Sequence, residues 1–234
     1  MSDDFTDETP AATRPHPGYA VFDTEGTGLF VYKYPDDHPE PELRGKPYPA
    51  DAPGQPRMCS LAIIYVDENM EIERECQIFV RPDVNDYTMT AGAQKAHGLT
   101  VEFLNEHGVP VTEALNEYMS AVDNGRIMVA HNSQHDMKQL RGELRRAGMQ
   151  DRFEDSPNIC TMRSMTNICK IPPRGGRGGY KWPALSEALL FIGSENLGDH
   201  SAINDAKGAL ELLRYLKKTG NLPEAKVHHA KGRD

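Results

Sequence analysis

The 234-residue chain predicts an α/β fold, a mixed β-sheet flanked by α-helices. Two observations carry that expectation. The first part spells β-branched, aromatic and apolar runs of strand length at 19–22, 58–66 and 72–80. The later part alternates short apolar runs with segments of helical periodicity. A run of strands followed by strand–helix alternation builds one sheet with helices packed on it, and the length suffices for a substantial core.

Taken in order, residues 1–17 are rich in Asp, Glu, Thr and Pro and offer almost nothing to bury, so they read as a disordered lead-in to a domain over 18–217. After the first strand, residues 32–57 carry seven prolines among many charges. Proline donates nothing to a strand ladder, so this is a long exposed insertion, either an idle surface loop or an arm that guides substrate. Residues 58–66 and 72–80 form an antiparallel hairpin across the polar Asp67-Glu68-Asn69 turn, and Pro82 ends it. A short helix is expected at 90–97, followed by a turn at His97-Gly98-Leu99-Thr100. At 111–122, Ala114, Leu115, Tyr118 and Val122 share one helical side. Residues 127–130 are a short buried strand, followed by a helix at 133–147 that Gly148 closes. Residues 158–160 lead in the same way into a helix ending at Cys169. The sequence PPRGGRGG at 172–179 is a flexible basic loop. Trp182-Pro183 opens a helix to 192, a last helix spans 201–217, and 218–234 are a flexible polar tail.

A net charge of -9 argues against a generally basic coat, while leaving open a local field around a cleft. Cys59, Cys76, Cys160 and Cys169 show no C-x-x-C pairing and no nearby His ligands, which argues against zinc and against a disulfide framework. No apolar run approaches membrane-spanning length, and the acidic N-terminus is unlike a secretory signal. A cytoplasmic protein with no membrane partner is therefore expected.

The chemistry gathers at AVFDTEGTG, residues 20–28. In extended chain Asp23 and Glu25 project to one face, and like charges there are costly unless a cation sits between them. Asp-Thr-Glu-Gly is also the composition of a solvated turn. Two further segments supply acids. AHNSQHD at 130–136 places Asp136 in the first turn of a helix, where it also suits the helix N-terminus, with Asn132 or Ser133 as its N-cap. HSAINDA at 200–206 opens the last helix with His200 and Asp205. Each acid falls at a strand end or a helix start, where the edge of a sheet forms a crevice.

The order and spelling of these three segments resemble the DEDDh family of 3′–5′ exonucleases, whose fold is RNase H-like. FDTEGTG matches the family's Asp-x-Glu motif, AHNSQHD its Ala-His-Asn motif with a following Asp, and HSAINDA its His-x-Ala-x-x-Asp-Ala motif. AHGLT at 96–100 and Ile159-Cys160-Thr161 echo further family turns, and the resemblance covers about residues 19–216. His135 stands where the family usually has Phe, and the proline-rich insertion is longer than the usual connection.

The resemblance implies that Asp23, Glu25, Asp136 and Asp205 hold two divalent cations, with Asp23 as the bridging ligand. An all-oxygen set suits Mg²⁺ or Mn²⁺. Two such ions about 3.5–4 Å apart activate a water and stabilise the leaving 3′ oxygen. His200 is then the general base. Thr24, Gly26, Thr27 and Gly28 are expected to offer amides and a hydroxyl to the terminal nucleotide, His97 and Leu99 to wall its sugar or base, and Asn132 to lie beside it. Arg174, Arg177 and Trp182 suit a single strand through phosphates and stacking, although Trp182 could equally be buried core. Lys138, Arg141, Arg145 and Arg146 read as a solvated helix face. The expected substrate is a single-stranded 3′ end, DNA before RNA, as in proofreading and repair exonucleases, with a polymerase or replication partner as an option. The same sequence also admits an exoribonuclease or a silent nucleic-acid-binding module, though the latter typically loses an acid or the histidine.

Overall fold

The sheet is centred on the strand that carries the first two acids. The computed structural model describes residues 17–82, 87–173, 175–176, 178–196 and 198–227, so the lead-in 1–16 and the end of the tail, 228–234, lie outside the described residues. Strands β1 (Tyr19–Gly26), β2 (Met58–Val66), β3 (Ile72–Phe79), β4 (Ile127–Ala130) and β5 (Asn158–Cys160) line up in the order β3-β2-β1-β4-β5. The β1–β2 and β2–β3 pairs are antiparallel, whereas β1–β4 and β4–β5 are parallel. The sheet is thus mixed, as the sequence predicts. β1 is longer than the apolar run at 19–22: its ladder with β2 carries on through Asp23↔Ala62, Thr24↔Leu61 and Glu25↔Ser60. The acids therefore sit within the paired strand, whose pleat dictates their direction.

The helices are α1 (Ala91–His97), α2 (Val101–His107), α3 (Val111–Asp123), α4 (Ser133–Arg146), α5 (Thr161–Cys169), α6 (Leu185–Phe191) and α7 (Ala202–Lys218); α3 and α4 cover one face of the sheet and α7 the other, while α6 packs on α5 and α7. Side chains alternate across a strand, and β1 divides accordingly. Ala20 and Phe22 pack with Leu115 and Tyr118 of α3 and Leu140 and Leu144 of α4. Tyr19 and Val21 pack with Ala206, Ala209 and Leu213 of α7. β2 is buried at every position because both faces are covered.

Three elements depart from the sequence expectation. α2 follows the 97–100 turn and is capped by Thr100, whose hydroxyl accepts from the Phe103 amide at 3.1 Å. α6 begins at Leu185, because Trp182 and Pro183 stay outside the helix and Glu187 reaches back to accept from the Ala184 amide at 2.7 Å. In the tail, Asn158 and Lys226 exchange backbone hydrogen bonds of 2.9 and 3.0 Å, so residues that read as flexible lie along β5.

The proline-rich insertion is fastened to α4. Lys138 Nζ donates to Tyr48 O (3.2 Å) and lies 5.2 and 4.8 Å from the rings of Phe30 and Tyr32. Arg146 donates to Ala50 O (2.9 Å), and Arg57 pairs with the buried Glu143 (3.0 Å). Arg141 and Arg145 both bind Asp151. The expected solvated face of α4 is therefore wrong: Lys138 is 8 % and Arg141 9 % exposed. Gly142 is where the insertion comes closest, since a Cβ there would lie 2.6 Å from Ala50 O. Gly→Ala inside a helix ordinarily favours it by about 1 kcal/mol. Here Gly142→Ala lowers the melting temperature instead, because backbone must move; a rise on thermal denaturation would show that the insertion is loosely held.

Candidate active site

The pleat of β1 sorts the acids. Asp23 and Glu25 follow the Tyr19–Val21 face toward α7, and α7 brings Asp205 in its first turn. Asp23, Glu25 and Asp205 each offer a carboxylate oxygen, and these oxygens lie within 4.8 Å of one another. Thr24 points to the opposite face, toward α4, and there it meets Asp136. Asp136 Oδ1 accepts from the Thr24 amide (3.0 Å) and the Thr24 hydroxyl (2.9 Å), and the residue is only 3 % exposed. Asp136 thus stands outside the three-oxygen group, while lying close enough that its charge acts on Asp23 and Glu25.

Electrostatics records the crowding. Burial, then Asp136, Glu25 and Asp205, hold the Asp23 carboxyl well above the usual range. Burial, then Asp205, Asp136 and Asp199, push Glu25 up to about 8. Burial raises Asp205 and Asp136 as well, opposed at Asp205 by His200 and at Asp136 by His135 and the Thr24 hydrogen bonds. Burial and mutual repulsion outweigh those two imidazoles, which leaves the group short of positive charge. A second observation points the same way: among the described residues, buried Asp205 Oδ1 has no hydrogen-bond partner. A Cβ on Gly198 would come within 2.7 Å of that oxygen, so the glycine keeps the space beside it open. An all-oxygen donor set with an unsatisfied buried oxygen fits a hard divalent cation.

His200 stands at the rim. Its backbone is left-handed (φ 58°), its side chain is 72 % exposed, and Nδ1 lies 3.9 Å from Asp205 Oδ2. Asp199 beside it steadies the entry to α7, accepting from the Ser201 amide and hydroxyl and from the Asn204 side chain. His97 is half-buried: Nδ1 accepts from the Leu99 amide (3.1 Å), which leaves Nε2 to donate to Gly26 O (3.2 Å). Burial, offset by that hydrogen bond, lowers its pKa. Leu99 is held beside it. Gly28 lies against Thr90, and Asn132 is exposed in left-handed backbone (φ 69°) at the start of α4.

Thr24 and Thr27 engage their polar groups within the protein. The amide and hydroxyl of Thr24 serve Asp136, and Thr27 exchanges hydrogen bonds with the backbone of Arg57 (both 2.9 Å). Trp182 is not core: it is 56 % exposed. Arg174 and Arg177 lie outside the described residues. His135 packs its ring edge on Phe30, centroids 5.4 Å apart. Sequence reasoning missed the role of His131, whose ring lies 3.1 Å from Thr161 Oγ1 and 3.0 Å from Pro183 O and so joins β4, α5 and the segment before α6. Burial holds its pKa down to about 4, so the ring is neutral at pH 7. The Ala-His-Asn spelling was its only signal. A separate cavity of about 710 Å³ lies between the insertion and the loop at Thr27, Gly28 and Leu29, and none of the four acids lines it.

An acidic cluster at the carboxyl end of the central strand of a mixed sheet agrees with RNase H-like architecture. A family model described as exonuclease matches residues 20–213, and the chain belongs to that family, with the DEDDh arrangement of acids. No curated protein sequence matches it. Among solved structures the chain resembles E. coli exonuclease I in complex with a 5cy-dT13 oligonucleotide, at 15 % identity and TM-score 0.63, covering 87 % of this chain and 41 % of that one. A product-bound exonuclease I gives 15 % identity, TM-score 0.67 and coverages of 88 % and 45 %. The zinc-bound form of an E. coli exonuclease I–single-stranded DNA complex gives 16 %, 0.65 and coverages of 87 % and 41 %. The chain thus spans less than half the length of these proteins, and the likeness is one of fold. Among the described residues, no helix is long and apolar enough to cross a membrane.

Proposed function

We propose that the chain is a cytoplasmic metal-dependent 3′–5′ exonuclease that removes nucleoside 5′-monophosphates from the 3′ end of single-stranded DNA, the kind of activity that serves a polymerase or a repair pathway. The observation that carries the reading is the convergence of Asp23, Glu25 and Asp205 from β1 and α7, with Asp136 delivered from α4 through Thr24.

Asp23, Glu25 and Asp205 would hold Mg²⁺ or Mn²⁺, with Asp136 completing the set for a second ion. When bound, such ions supply Lewis-acid activation of water and of the leaving oxygen. The chain's own residues do the rest. Asp136 fixes the acid-bearing strand against α4, so the carboxylates hold their geometry. His200, exposed and next to Asp205, takes the proton of the attacking water; imidazole is the side chain whose ordinary titration range lies nearest neutrality. His97, locked between Gly26 and Leu99, walls the terminal nucleotide together with Leu99. Gly26 and Gly28 are packed where a Cβ would lie by Gln139 and Thr90, so they would meet the chain end through backbone alone, and Asn132 stands at the α4 side of the same crevice. Arg174 and Arg177, from the basic glycine loop, meet backbone phosphates.

Digestion of 5′-labelled single- and double-stranded DNA and RNA checks this. With Mg²⁺ the label shortens progressively from the 3′ end, fastest on single-stranded DNA, and with chelator it persists. Faster loss of RNA would move the substrate to RNA, and no mononucleotide release from any substrate in Mg²⁺ or Mn²⁺ would sink the reading.

A further inference from the structure

Trp182 is the only tryptophan of the chain. Its indole is mostly in solvent, yet the backbone on either side is pinned. The Lys181 amide donates to Ile171 O (2.9 Å), and the Pro183 carbonyl lies 3.0 Å from His131 Nε2. The ring is met by Arg163 of α5, with the guanidinium carbon 5.4 Å from its centroid. Arg163 Nη2 in turn donates to Gln134 Oε1 (3.3 Å) in the first turn of α4. Asp136 is two residues further along that helix. An exposed aromatic surface and a cation therefore stand, on anchored backbone, beside the helix start that delivers Asp136 to the acids. A held aromatic ring offers contact area at low entropic cost, and every unpaired base has a face to stack on it. A base inside a duplex has both faces covered by its neighbours.

We propose that Trp182 and Arg163 form a stacking step for one unpaired base upstream of the 3′ terminus, with the guanidinium meeting an adjoining phosphate, so that the enzyme selects single-stranded ends. The inference rests on the exonuclease reading above and names the part of the substrate that reading leaves open.

Indole emission reports this one residue, so binding is read directly. Titration with a single-stranded oligonucleotide in Ca²⁺ quenches the emission, a blunt duplex does not, and removing the base at one upstream position abolishes the quench. In Mg²⁺, Trp182→Ala raises KM roughly 5- to 150-fold, the factor to which about 1–3 kcal/mol per stacked base converts, and the loss falls on KM more than on kcat. Trp182→Phe, which keeps a ring, retains most of the affinity. An abasic substrate costs the wild type the same factor and costs Trp182→Ala nothing further, an equality that a purely structural role would not produce. An active wild type with no quench and an unchanged KM in Trp182→Ala overturns the step. Quenching that ignores which base is missing also overturns it, since the indole would then report the strand's backbone and not a stacked base. A wild type that releases no nucleotide from any substrate fails earlier, at the exonuclease reading itself.

Discussion

Glu25→Gln abolishes hydrolysis and at the same time raises the melting temperature of the metal-free protein. Both effects come from one cause. In the folded protein, burial and the neighbouring acids raise Glu25 from the usual 4.5 to about 8. A carboxyl with its folded value above its unfolded one contributes stability fully below the unfolded pKa, and that stability is lost as pH rises through the folded pKa. At pH 7 the folded protein therefore carries a penalty of about 3 kcal/mol from this group. The amide removes it, and for a domain of this size the gain reads as roughly 6–12 °C. The difference between variant and wild type is near zero at pH 4.5 and largest above pH 8, so calorimetry in chelator across that window follows it. Buried neutral His131, held down to about 4, acts in the opposite sense, losing stability as pH falls below its ordinary 6.5. It is common to both proteins and drops out of the difference. Added Mg²⁺ raises the wild type more than the variant. A variant no more stable than wild type at pH 8 in chelator would mean that the acids are already compensated.

His200→Asn lowers turnover about 10²–10⁴-fold, the usual contribution of a general base, while leaving stabilisation by Mg²⁺ in place. Asparagine is chosen because residue 200 is left-handed (φ 58°), a conformation that Asn tolerates and Ala does not. The side chain is mostly in solvent, so the folded state loses little packing. Single-turnover rates at saturating substrate, set beside a Mg²⁺-dependent melting shift, separate the two effects. Undiminished turnover would remove this histidine from the chemistry, and a vanished Mg²⁺ shift would make it a ligand.

The acids were readable because each occupies a position with a local signature: extended chain for Asp23 and Glu25, and first helical turns for Asp136 and Asp205. The glycines at 26 and 28 and the apolar periods around them marked the same edge. Less was readable where a partner distant in sequence decides the outcome. The cations of α4 spelled a wetted face, and nothing in their spacing announces that a proline-rich segment about ninety positions earlier folds over them, as Lys138 on Tyr48 and Arg146 on Ala50 do. The short α2 was hidden because seven residues, including one buried leucine, give too little periodicity to see.

Composition, order and spacing were sufficient for the mixed sheet and for the candidate acids, and the resemblance of three motifs to a known family added the exonuclease expectation, because strand period, helix start and motif spelling are properties of neighbours along the chain. Which acids meet was settled by folding. The pleat of β1 turns Asp23 and Glu25 toward α7 and sends Thr24 the other way to hold Asp136, and the packing of α7 on β1 leaves Asp205 with a buried oxygen that is unpaired among the described residues. Side-chain direction in a paired strand depends on register with strands far away in sequence, and that register exists only once the sheet has formed.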